Sequence, residues 1–203
     1  MKFITLSGVD GSGKSTQLGI LKEKLEAQGF QVVYFHAVSF SLLETLRSKL
    51  FGTRQAGSAK AQTTSSALSL WLRRCLLIID AVRFKRYFAR LQKENTEYLI
   101  SDRYFYDTLI NIAYLAQKSP SDTYSQFVYH LLPKPDLALY LRITPSRVMQ
   151  RERAPEQGLA YLEAKTALFE SIISDWEILP IDADQSIDTL SANINDTLKK
   201  RLV

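Results

Sequence analysis

Apolar positions along the chain follow two alternating rhythms. Short apolar runs stand at Lys2–Leu6, Gln31–Phe35, Tyr98–Ser101, Asp136–Ile143 and Ile178–Ile181, and they read as strands. Between them apolar residues recur at three- and four-residue steps, the spacing of a helix with one buried face. Leu18, Leu21 and Leu25 mark a helix over Gln17–Gln28. Leu42, Leu43, Leu46 and Leu50 mark a second, with Ser39 or Ser41 as its cap. The longest such pattern runs from Ala67 to Lys93 through Leu70, Leu77, Ile78, Ala81, Phe84, Phe88 and Leu91. Further helices are predicted over Tyr106–Gln117, Ser121–Leu131, from a Thr144 cap with Pro145 in the first turn, over Leu159–Trp176 and over Ser186–Leu202. Gly52–Ser66 has no pattern, and its length suggests a segment over a site or local disorder. Strands alternating with helices predict an α/β fold, a parallel sheet covered on both faces. No repeat or second boundary interrupts residues 1–203, which read as a single domain.

Composition narrows the setting. The 203 residues suffice for a sizeable core, with 46% hydrophobic and 23% charged residues, an ordinary globular balance. No apolar run approaches the about 18 residues of a membrane span. The N-terminal strand and glycine loop leave no room for a signal peptide, and a cytoplasmic protein is expected. With Cys75 as the single cysteine, an internal disulfide and a thiolate metal cluster are excluded. His36 and His130 lack a second ligand at metal spacing. The net charge of +5 suits a site holding several phosphates. No nucleic acid partner is expected, because no base-stacking aromatic motif is present.

The chemistry is concentrated between the first strand and the first helix. Gly8-Val9-Asp10-Gly11-Ser12-Gly13-Lys14-Ser15-Thr16 matches G-x-x-x-x-G-K-[ST] in the strand–helix context the phosphate-binding loop requires. Glycines let the backbone N–H groups turn inward, and the first helical turn adds unpaired donors, together a cradle for phosphate oxygens. Lys14 would reach the outer phosphates and the Ser15 hydroxyl a Mg²⁺ ion. Asp10 is either a turn-former or a carboxylate for a substrate hydroxyl. Asp102 ends the third strand, where ligands of parallel sheets lie, and can hold Mg²⁺. Arg103 after it suits a phosphate; the alternative is a buried Asp–Arg pair or a helix cap. Arg147, Arg151 and Arg153 form a third cluster beside the 154–158 break: mobile lid arginines, or a solvated basic helix end.

Val9–Gln17, Asp102-Arg103-Tyr104 and Pro135–Leu141 together resemble the thymidylate kinase family, and Ile181-Asp182-Ala183 is similar to its last strand and adenine-side loop. The resemblance implies a P-loop three-layer fold with a five-stranded parallel sheet, a lid at about 144–158 and a homodimer built from helices. It implies phosphoryl transfer from ATP, with Mg²⁺, to a nucleoside monophosphate, dTMP foremost. By resemblance, ATP meets Asp10, Gly11, Ser12, Gly13, Lys14, Ser15, Thr16, Arg151 and Asp182. Ser15 and Asp102 serve the metal, while Arg103, Arg47, Thr108 and Asp10 meet the acceptor. The family's helical Ala-Asp-Arg is approximated by Asp80-Ala81-Val82-Arg83, so Arg74 or Arg83 takes that arginine's place. Gly11 stands where some members carry a catalytic arginine, which leaves that task to Arg151 and Arg153. Departures fall on the acceptor side: Ser7 replaces the usual Glu, His36–Phe40 the usual stretch after the second strand, and Asp107–Ile112 the usual Ser-Ser/Thr-x-Ala-Tyr-Gln, of which Thr108 alone fits. Another small acceptor, or nucleotide binding without catalysis, stays open at this stage.

Overall fold

In the computed structural model, residues 1–45, 66–151 and 155–202 are described. The chain runs β1 (Lys2–Ser7), α1 (Lys14–Ala27), β2 (Val32–His36), α2 (Ala37–Phe40), α3 (Ala67–Lys93), β3 (Tyr98–Asp102), α4 (Phe105–Ala116), α5 (Thr123–Leu131), β4 (Leu137–Arg142), α6 (Pro145–Met149), α7 (Gly158–Glu170), β5 (Leu179–Asp182) and α8 (Ile187–Leu202). The five strands form one sheet in the order β2-β3-β1-β4-β5, every pair parallel. The α/β reading and the five-stranded sheet are therefore met.

Strand alternation divides the core between the two sheet faces. Phe3, Leu99, Ala138 and Tyr140 point to a face packed by Leu77 and Phe84 of α3, Leu109 of α4 and Val128 of α5. Ile4, Leu6, Ile100, Leu139 and Leu141 point to the other, packed by Leu18 and Leu21 of α1 and Leu190 and Ile194 of α8. β1 thus feeds a helix on one face and β3, through α4, a helix on the other. Their neighbouring carboxyl ends open a crevice, the position where open α/β sheets hold ligands.

One expectation changes, and two helix starts gain detail. Helix α7 stops at Glu170, and residues 171–177 continue as successive turns. Trp176 and Ile172 are buried there, so the apolar spacing that looked helical is kept without regular helix. A short helix not expected from the sequence, α2, begins at Ala37 with His36 as its cap, His36 Nδ1 accepting from the Ser39 N–H at 3.2 Å. The expected second helix starts at Leu42 directly after Ser41, whose carbonyl accepts from the Thr45 N–H at 3.0 Å. Thr144 stands at the cap position of α6 with Pro145 in the first turn, as expected, but its hydroxyl and N–H both donate to the Asp184 carboxylate, so its side chain makes no capping bond. The segment 46–65, with most of the predicted second helix and of the Gly52–Ser66 loop, lies outside the described residues.

Candidate active site

The loop after β1 needs its glycines. Gly8, Gly11 and Gly13 have φ of +149°, +81° and +97°, backbone that side chains rarely adopt. A Cβ on Gly11 would also meet Val148 Cγ1 of α6 at 2.8 Å. α1 starts from Gly13 without a side-chain cap and without an acidic residue in its first turn, which leaves that turn's N–H donors to an anion. Ser12 and Lys14 are buried at the loop's base, and Ser15 and Thr16 are exposed at the helix start. Lys14 Nζ folds back onto the carbonyls of Gly8 at 2.9 Å and Val9 at 2.7 Å. Burial, reinforced by the charge of Arg103, lowers its pKa to about 8.

Across the crevice, Asp102 is buried and accepts from the hydroxyls of Ser15 at 2.6 Å and Tyr34 at 2.9 Å. The next residue, Arg103, has φ +65°, a left-handed conformation unusual for a long side chain. Its N–H is held by the Leu6 carbonyl at 3.1 Å. The guanidinium pairs with Asp10 and reaches Asp107 at 3.4 Å. Burial opposes ionisation of Asp10, but Arg103 and Lys14 outweigh it, and the Asp10 pKa lies below the ordinary value. The strained backbone and the paired carboxylates hold the Arg103 fork over the crevice.

Beside this pair lies a cavity of about 390 Å³, bounded by Asp10, Arg103 and Thr108 among the expected residues. Two expected residues lie elsewhere. Arg74 pairs with Asp122 at 2.8 Å and covers the Tyr124 ring at 4.8 Å, so it braces α3 against α5. Arg83 pairs with Asp80 at 2.5 Å and stacks on Phe40 at 4.5 Å, while Asp80 also accepts from the Leu42 N–H. The approximate Ala-Asp-Arg match is thus a clamp on the segment after β2. Arg73, one position before Arg74, turns to the cavity instead. Lys165 and Asn111 also line it and were not singled out by sequence. A signal existed: Lys165 falls between Leu162 and Phe169 at helical spacing, both buried, which places a charge on an inward face.

Among the lid arginines, Arg151 Nη1 donates to the Gly11 carbonyl, and Arg147 donates to the Asp184 carbonyl at 2.6 Å. Arg147 thus fastens the lid's base. Asp182 ends β5, where its carboxylate accepts from the Asp184 N–H at 2.9 Å and closes the turn to α8. Arg47 and Arg153 lie outside the described residues.

A donor-phosphate cradle and a fork of opposite placement face one crevice, with a cavity behind the fork; this is the layout of a P-loop kinase, which passes a phosphoryl group between two held ligands. The family model for thymidylate kinase matches residues 6–194. The chain belongs to the thymidylate kinase family. It is 28% identical to thymidylate kinase of Francisella philomiragia, with 98% of each chain covered. It is 25% identical to probable thymidylate kinase of Methanosphaera stadtmanae, again with 98% of each covered. Thymidylate kinase of Prochlorococcus marinus is 27% identical, with 97% of this chain and 95% of the relative covered.

Two departures from the family pattern prove to be one. Ser7 Oγ donates to Asp107 Oδ2 at 2.7 Å, and Asp107 also accepts from the Tyr104 N–H at 3.1 Å and lies 3.5 Å from the Gly8 N–H. The carboxylate usual at the end of β1 stands here on α4, and the hydroxyl usual on α4 stands here on β1. The two departures thus meet in one hydrogen bond between β1 and α4.

Proposed function

We propose that the chain phosphorylates dTMP to dTDP at the expense of ATP, as one kinase domain over residues 1–203 with a lid at about 144–158. The observation that carries this reading is the placement of Lys14 with the loop amides at the end of β1 and of Arg103 at the end of β3, two phosphate sites at neighbouring strand ends. Lys14, Ser12, Gly13, Ser15 and Thr16 hold the donor phosphates, and Asp182 stands on the adenine side. Arg103, with Arg47, holds the acceptor phosphate, Thr108 borders the acceptor cavity, and Asp10 meets the acceptor sugar. Arg151 and Arg153 close over the transferring group and exclude water. The Ser15 hydroxyl and the Asp102 carboxylate converge within 2.6 Å, two hard oxygens that fit Mg²⁺. Bound there, Mg²⁺ would neutralise charge on the donor phosphates.

The reading includes a homodimer. On α3, Leu68, Leu72, Cys75, Ile79 and Val82 recur at steps of four and three along the side opposite the core, and four of them are exposed apolar residues. That is the spacing of a seam between helices. The neighbouring Trp71 is 62% exposed. Arg74 and Arg83 are folded onto acids of their own chain, which leaves that stripe free of their charge. A cytoplasmic setting goes with this reading; no helix among the described residues is long and apolar enough to cross a membrane.

An ADP-release assay across nucleoside monophosphates and nucleosides tests the activity. Turnover with dTMP above all others is expected. Preferred turnover of another acceptor would replace dTMP, a second reading favoured by the Asn111 and Lys165 wall of the cavity. ATP binding without transfer to any acceptor would refute the kinase reading.

A further inference from the structure

Lys165 enters the acceptor cavity from α7 and belongs to a group of four charges that is paired unevenly. Its ammonium lies 3.3 Å from Asn111 Oδ1 and 5.6 Å from the centre of the Tyr161 ring. Asp10, Arg103 and Asp107 line the same cavity wall. Arg103 takes both carboxylates, while Lys14 is bound to the carbonyls of its own loop and adds only its field to theirs. Lys165 is left with a neutral amide as its hydrogen-bond partner.

An acceptor phosphate needs the Arg103 fork. To turn toward it, Arg103 must loosen its carboxylates. Asp107 can release the 3.4 Å contact, because the Ser7 hydroxyl and the Tyr104 N–H still satisfy it. Asp10 has Arg103 as its ion-pair partner among the described residues. Without a replacement it would face an incoming dianion with only solvent and the charge of Lys14 to offset its own.

We propose that Lys165 is a positioning residue for acceptor binding: it takes over Asp10 and Asp107 when Arg103 turns to the acceptor phosphate. The proposal rests on the assignment of Arg103 to that phosphate. The groups facing Lys165 are Asp10 from the phosphate loop, Arg103 from the β3–α4 junction, Asp107 and Asn111 from α4, and Tyr161 from its own helix. In the free protein burial lowers the Lys165 pKa to about 8, against the pull of Asp107 and Asp10 and with the push of Arg103. Once phosphate neutralises Arg103, that push is gone, and the two carboxylates hold the proton more firmly. Acceptor binding near pH 8 then takes up a proton at Lys165.

The test compares wild type, Lys165→Met and Lys165→Arg by kinetics and by dTMP calorimetry at pH 7 and pH 9. Lys165→Met is expected to raise the dTMP KM about 10-fold while kcat and the ATP KM change less than about threefold. Lys165→Arg is expected to restore most of the affinity. The weakening of dTMP binding between pH 7 and pH 9 should shrink in Lys165→Arg, whose charge does not titrate there. In an Asp10→Asn background the same Lys165→Met change should cost less than about threefold, because the charge to be covered is gone. An unchanged dTMP KM in a folded Lys165→Met protein overturns the proposal. So does a full penalty in the Asp10→Asn background, which would make Lys165 a direct phosphate contact. Wild-type protein that binds dTMP with this pH dependence but never phosphorylates it refutes the kinase reading alone. Wild-type protein that neither binds nor phosphorylates dTMP refutes both.

Discussion

Lys14 in the free enzyme is a cation turned onto its own loop, and the pH dependence of donor binding follows from that state. Its pKa of about 8 lies below that of an ordinary lysine because burial disfavours its charge. The charged form is the one that meets phosphate, so ATP affinity is expected to fall as pH rises through about 8. Binding near that pH should take up protons, read as a buffer-dependent enthalpy in calorimetry. For stability the sign is opposite. Between pH 8 and the ordinary lysine value the unfolded chain binds more protons than the folded one, so this group makes folding relatively more favourable as pH rises through that window. Lys14→Ala should lower kcat by about 100-fold or more with an unchanged circular dichroism spectrum. Asp107 gives a different kind of prediction. Asp107→Ala strands the Ser7 hydroxyl and the Tyr104 N–H, at an expected cost of about 1–3 kcal/mol in urea unfolding. Asp107→Ser combined with Ser7→Glu should recover part of the loss suffered by Asp107→Ser alone, because it returns the carboxylate to the β1 side of the same bond.

Among the elements, α6 and α3 carry consequences that single residues do not. α6 sits so close to the loop that Gly11 has no room for a side chain, and Arg151 just beyond α6 bonds the Gly11 carbonyl. Gly11→Ala combines a φ of +81° with a 2.8 Å approach to Val148. It is expected to destabilise the fold by about 1–2 kcal/mol and to weaken ATP binding by displacing the lid, measurable as a lower Tm and a higher ATP KM. The same crowding leaves no room for a long side chain at position 11 while α6 is docked as it is here. On α3, Leu72→Asp or Ile79→Asp is expected to convert the proposed dimer to a monomer in light scattering, since each puts a charge in the middle of the apolar stripe. Retention of the dimer would move the interface elsewhere.

Across the whole molecule, an aromatic cluster ties several elements together. Trp176 is 1% exposed, stacks on Tyr129 at 5.8 Å and packs on Tyr106 at 5.4 Å, so it joins the turns after α7 to α5 and α4. Trp176→Ala should cost about 3–5 kcal/mol by the cavity it leaves, seen as a lower urea midpoint, with the kinetics of the remaining folded protein unchanged. Element types were largely legible before the fold was known, because a sheet buried on both faces demands apolar strands and one-sided helices. The turns at 171–177 were not, because buried Ile172 and Trp176 show the same spacing whether or not the backbone is a regular helix.

The donor half of the site was written locally. Gly8 to Thr16 is contiguous, and its strand–loop–helix geometry needs only glycine conformations and the free N–H groups of one helix start. Asp102-Arg103 was equally visible, since a strand end in a parallel sheet faces the ligand side. The acceptor half depended on long-range packing. Arg73 and Arg74 are neighbours in sequence, yet consecutive helical residues point about 100° apart, and the position of α5 decided which one meets the cavity. Ser7 and Asp107 are 100 residues apart, and only the pairing of β1 with β3 brings them to 2.7 Å. Lys165 needed α7 to be laid against α4 before its charge could count among those around Arg103. A local rule can place a phosphate cradle; which charges answer one another across the crevice is decided when distant elements pack.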